Sequence, residues 1–213
     1  QVFNFVSQSD TDNTSAIEVH ANLSEAAVDD VIYDLHIYGA SATDKVKVNY
    51  TGTPAPSYSI LLSLKDANSQ DVLQSTHMET SLTNNQKLIF AYGTPNAYGL
   101  NVFDKPNFET DDNKSHLVVM NLSNYISPDD SSTYSVNIEG ARVLSNANKL
   151  ALSSVVALTE QNDDVIDIAI NGGVNSAVCK ISQADLQIKK NAAVVFYDDL
   201  NTKKAVCSLI QIF

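Results

Sequence analysis

Residues 57–64 read "SYSILLSL", serine and tyrosine set against isoleucine and leucine, with Ile60, Leu62 and Leu64 in one phase. A period of two marks a strand with one face buried, because successive side chains point to opposite sides of a sheet. "VIDIAI" at 165–170 repeats the pattern: Ile166, Ile168 and Ile170 stand at a constant spacing of 106 from Ile60, Leu62 and Leu64. Turn chemistry follows both runs, in "LKDANSQDV" (64–72) and "INGGVNSAV" (170–178). Asp, Asn and Gly tolerate the backbone angles of a tight hairpin, so each run is expected to fold back as a second strand.

The spacing of 106 continues outward through Val72 with Val178, Leu82 with Ile188, and Leu88-Ile89-Phe90 with Val194-Val195-Phe196. Upstream, shorter matches recur at 99 to 101: Val2-Phe3-Asn4 with Val102-Phe103-Asp104, Asp12-Asn13 with Asp112-Asn113, Ser15 with Ser115, Asn22-Leu23-Ser24 with Asn121-Leu122-Ser123, and Leu35 to Gly39 with Val136 to Gly140. The chain is therefore read as two homologous domains, 1–108 and 109–213. Gln1-Val2-Phe3, Asn101-Val102-Phe103 and Gln211-Ile212-Phe213 echo one another as closing strands, which makes residues 1–8 a tail or a remnant of a preceding unit. Short strands separated by turn signals at this density describe an all-β chain of two antiparallel β-sandwiches. "SEAAVDDVIYDL" (24–35) could form an amphipathic helix, but its counterpart contains Pro128, so a loop leading into a strand is expected.

Composition narrows the function. The chain has 213 residues, 44% apolar and 18% charged, with a net charge of −12 and Arg142 as its single arginine. Nucleic-acid binding needs clustered cations, and an anionic membrane surface would repel this chain, so neither is expected as a partner. No apolar run reaches the length of a membrane span. The sequence opens at Gln1 without a basic, apolar leader, as expected of a mature exported product or a trimmed chain. Cys179 and Cys207, each in an Ala-Val-Cys context, form either a disulfide or two buried thiols; neither has the neighbouring ligands a zinc site needs.

The succession "EVHANLS", "YDLHIYG", "SYSILLSL" and "SLTNNQKLIFAYG" resembles an uncharacterised bacterial family of exported domains. Its repeats open on a Val-His-Ala strand, continue to a strand ending in Gly, and close on a Tyr-containing strand. Val19-His20-Ala21, Leu35 to Gly39 and Leu82 to Gly93 carry the likeness, which covers residues 15–93 and, more faintly, 116–198. The resemblance implies tandem immunoglobulin-like sandwiches and a periplasmic, extracellular or cell-surface location. It implies no catalytic residue.

Candidate chemistry is sparse. Asp10 and Asp12 with Asn13, and Asp111 and Asp112 with Glu109 and Asn113, supply oxygens that could bind calcium at the domain junction; the alternative is a solvated linker. No other cofactor is expected. The pairs Asp29-Asp30, Asp129-Asp130, Asp163-Asp164 and Asp198-Asp199 are read as loop residues. His20 and His36 fall on the polar phase of early strands, where a half-exposed sheet face explains them more simply than a metal. Asn-x-Ser/Thr sequons occur at Asn13, Asn22, Asn49, Asn113 and Asn121. No nucleophile elbow, phosphate loop or zincin motif is present. The expected function is a non-enzymatic binding or structural module with a protein or glycan partner. Carbohydrate binding would use Tyr58, Tyr92, Tyr98, Tyr125, Tyr134 or Tyr197 as stacking rings; a hydrolase built on loop carboxylates is the remaining alternative.

Overall fold

In the computed structural model, which describes residues 1–7, 17–23, 29–35, 57–66, 68–81, 86–95, 97–108, 114–129, 131–159 and 165–212, the chain divides into units Gln1–Lys105 and Pro106–Phe213. The described strands of the first are β1 (Val2–Val6), β2 (Ile17–Leu23), β3 (Asp29–Leu35), β4 (Ser57–Asp66), β5 (Val72–Ser81), β6 (Lys87–Thr94) and β7 (Ala97–Asp104). Those of the second are β8 (Lys114–Asn121), β9 (Thr133–Ile138), β10 (Ala141–Asn148), β11 (Val156–Thr159), β12 (Val165–Asn171), β13 (Ser176–Ser182), β14 (Asn191–Asp199) and β15 (Lys204–Gln211), with helix α1 (Gln183–Ile188).

Each unit is a β-sandwich of mostly antiparallel strands. The first packs sheet β3-β2-β4-β5 against β1-β6-β7, and the second packs β10-β9-β12-β13 against β11-β8-β14-β15. All pairings are antiparallel except β1 on β6 and β8 on β14. The cores follow the alternation that marked β4 and β12: Ile60, Leu62 and Leu64 are buried in one, Ile166, Ile168 and Ile170 in the other. Both expected hairpins form, β4–β5 and β12–β13. The segment 24–35 enters β3 at Asp29; residues 24–28 lie outside the described ones.

Among the described residues, the upstream matches at 99 to 101 do not mark equivalent positions. Ile17–Leu23 pairs with β4, as β9 pairs with β12, whereas Lys114–Asn121 runs parallel to β14, as β1 runs parallel to β6. So β8 corresponds to β1 and β9 to β2. Val2 opposite Ile89 matches Val119 opposite Val194, and Asn4 opposite Ala91 matches Asn121 opposite Phe196. The side chains agree: Asn4 Oδ1 accepts the Val6 N–H at 3.0 Å, and Asn121 Oδ1 accepts the Ser123 N–H at 3.0 Å. Residues 1–7 therefore belong to the first sandwich as its opening strand, buried throughout β1.

A one-residue slip affects β6 as well. Ile89 and Ala91 enter the first core, while Phe90 turns to the opposite face. In the second unit Val194 and Phe196 face the core. Matching Phe90 to Phe196 by sequence thus joins residues on opposite faces, the expected result of an odd shift in a period-two structure.

Candidate functional site

In the second unit the loops after β8, β10 and β12 converge with the end of β14. Asp198 organises them. Its carboxylate accepts the Ser123 hydroxyl and the Tyr125 N–H (3.2 Å) on Oδ1, and the Asn124 N–H (2.9 Å) on Oδ2. Ser123 Oγ in turn accepts the Ile126 N–H at 3.2 Å. Asn121 closes the base of this turn, its Nδ2 donating to Ser127 Oγ at 3.0 Å. Asn121, Ser123 and Ser127 are fully buried, and each has a hydrogen-bond partner, as buried polar groups require.

Two other loops clamp the turn from its flanks. Lys149 is 4% exposed, and its Nζ donates to Asn124 Oδ1 at 2.7 Å. Asn175 Nδ2 donates to the Tyr125 carbonyl at 2.7 Å. Gly172 has no room for a side chain, since a Cβ there would stand 2.4 Å from the Ile126 carbonyl oxygen. Tyr125 is consequently held at both its N–H and its C=O while the residue stays 41% exposed; nearby, Val174 in the β12–β13 turn is 68% exposed. The arrangement is a fixed polar scaffold presenting apolar groups to solvent. Replacing Asp198 by alanine should cost the second unit about 2–3 kcal/mol, because the buried Ser123 hydroxyl and two N–H groups lose a charged acceptor. Urea unfolding measures this, and an unchanged midpoint would remove Asp198 from the role.

The other sequence candidates resolve differently. Asp10, Asp12, Asp111 and Asp112 lie outside the described residues, as do Asn13, Asn113, Glu109, His36 and Asp163-Asp164. Among the described residues no group of three His, Cys, Asp or Glu is placed to hold a metal ion. Cys179 on β13 is bonded to Cys207 on β15, with Cα atoms 5.8 Å apart, tying the two sheets together. His20 is buried rather than half-exposed, its Nε2 2.8 Å from Glu18 Oε2; Glu18 also accepts Gln70 Nε2 at 3.1 Å.

Asp29-Asp30 sits in β3 and Asp198-Asp199 ends β14, so neither pair is in a loop; pairing of the flanking backbone overrides their turn preference. Asp199 caps the next turn, accepting from Asn201 N and Thr202 Oγ1. Asp129 accepts the Ser131 N–H, which with the Ser131 hydroxyl and the Lys149 charge holds its carboxyl below the ordinary value. Asn121 is excluded as a glycan acceptor, because its amide is buried and both ends are engaged.

The tyrosines separate by environment. Tyr134 is in the core with its hydroxyl donating to the Val119 carbonyl at 3.0 Å, and burial pushes its ionisation above the usual phenol range. Tyr197 is buried beside Ser208, Tyr98 packs against the first core, and the Tyr92 ring fills the space over Gly99 opposite it. The Tyr58 side chain lies outside the described ones. Tyr125 is left as the one solvent-facing tyrosine among those described. Sequence reasoning missed the Asp198 scaffold, whose partners are more than seventy positions away. It also missed α1, although Ser182-x-x-Asp185 is a capping pattern: Ser182 Oγ accepts the Asp185 N–H at 3.1 Å.

No family model matches the chain, and no curated protein matches it. Among solved structures, a carbohydrate-binding module (CBMbc, family CBM26) of Eubacterium rectale Amy13K, determined in complex with maltoheptaose, aligns over 99% of this chain and 97% of its own at 11% identity and a TM-score of 0.29. That superposition is too loose to transfer any residue role. No helix among the described residues is long and apolar enough to cross a membrane.

Proposed function

We propose that this protein is an exported, non-enzymatic β-sandwich binding module of the periplasm or cell surface, related to the tandem exported domains it resembles. Its working surface is the loop end of the second unit. The observation that carries this reading is Tyr125, fixed by backbone hydrogen bonds on both sides yet 41% exposed. An aromatic residue offered to solvent on a fixed backbone binds at reduced entropic cost, and loops at the end of a sandwich are its usual recognition surface. The Cys179–Cys207 bond supports export, since structural disulfides persist in oxidising compartments.

A glycan is the second, narrower reading, favoured by an exposed tyrosine that Asn124 precedes in the chain and whose carbonyl accepts from the Asn175 amide. A glycan array with the full chain tests it, and signal lost on Tyr125→Ala is the expected result. Replacement of a central aromatic anchor should weaken binding by at least about tenfold. A flat array sinks the glycan reading, and ligand capture indifferent to Tyr125→Ala sinks the assignment of the surface.

A further inference from the structure

We infer that Lys149 and Asn124 form an intramolecular amide bond, Lys149 Nζ to Asn124 Cγ, with release of ammonia. Lys149 is the one lysine buried among the described residues, and its nitrogen already contacts the Asn124 amide oxygen at 2.7 Å. A contact of that length leaves Nζ about 3–4 Å from the amide carbon, a range that includes near-attack separations.

Both partners are held in place. The Lys149 N–H donates to the Ser132 carbonyl at 3.0 Å. Leu150 behind it adopts a left-handed φ of 56°, uncommon for a bulky side chain, and its N–H reaches the Asn121 carbonyl at 3.1 Å. Asn124 is anchored through its own N–H to Asp198. The ordering that makes a two-molecule reaction slow is therefore already complete in the fold.

The step balances without a co-reactant. The lysine ammonium gives one proton to solvent, and the departing ammonia takes one up as ammonium, so charge is conserved. The Nζ lone pair then bonds to Cγ, the Cγ–Nδ2 bond breaks, and Nδ2 departs as ammonia carrying one amine hydrogen. Nothing is oxidised or reduced. The product joins the loop after β8 to the end of β10 beneath Tyr125, and it stands whether or not that surface binds a ligand.

Intact-mass measurement of the full chain, followed by trypsin digestion after reduction, decides the matter. The expected product is lighter by one ammonia and resists cleavage after Lys149, so that the peptide of residues 115–142 travels joined to that of 143–180. Lys149→Arg should restore both the mass and the cut. Cleavage after Lys149 with a separate 115–142 peptide overturns the inference. So does an ammonia loss that maps to Gln1 or to Asn171, where terminal cyclisation or succinimide formation would leave the same mass.

Discussion

Phe90→Ala is expected to destabilise the first unit by about 3–5 kcal/mol, as for a large side chain lost from a packed interior. The ring is fully buried on the face of β6 turned away from the core of Ile60, Leu62 and Leu64. It stacks on Phe3 and Phe5 at centroid distances of 5.0 and 6.0 Å and meets Phe103 edge-on at 5.7 Å. Sheet β1-β6-β7 is thus apolar on both sides, and the cavity left by alanine would lie among aromatic rings that cannot easily close it. Chemical denaturation followed by circular dichroism resolves the first unit's transition. A loss under about 1 kcal/mol would mean that this face is not closely packed.

Removing the disulfide should produce the second large effect, about 3.5 kcal/mol for the loop it closes. Cys179 and Cys207 lie on β13 and β15, the edge strands of different sheets, so the bond closes the side of the second sandwich. The first unit manages without one. Cys179 lies opposite Ile168 and Cys207 opposite Phe196. The residues opposite Leu62 and Ala91, which hold those places in the first unit, are Thr76 and Leu100. Cys179→Ala with Cys207→Ala should therefore lower the second transition and leave the first unmoved. Superimposable curves for the double variant would show that the bond adds nothing to the fold.

How far the fold could be read from residues depended on whether a strand has a wet face. In β4 and β12 one side meets solvent or polar neighbours, so the alternation is visible and both cores were found. In β6 and β14 the middle residues are buried without interruption. Such strands read as continuous apolar runs, in which a shift of one position leaves no trace. That is why Phe90 and Phe196 were aligned although they face opposite ways. Asn22-Leu23-Ser24 misled for a different reason: it matches Asn121-Leu122-Ser123 in letters, while Asn4 matches Asn121 in what its side chain does. The Tyr125 surface was legible only as one tyrosine among several, because its exposure depends on Asp198, Lys149 and Asn175, which reach it from distant segments.

The bond between β13 and β15 also has a mechanical consequence. It spans 28 positions that include α1 and all of β14. Tension entering the chain beyond Cys207 passes through sulfur to Cys179 and never loads that stretch. A single oxidised molecule drawn out from its ends should stop short of the reduced one by roughly 90 Å, the extended length of the bypassed segment. The second sandwich is built to yield from its β8–β12 side while the segment between its cysteines remains shielded.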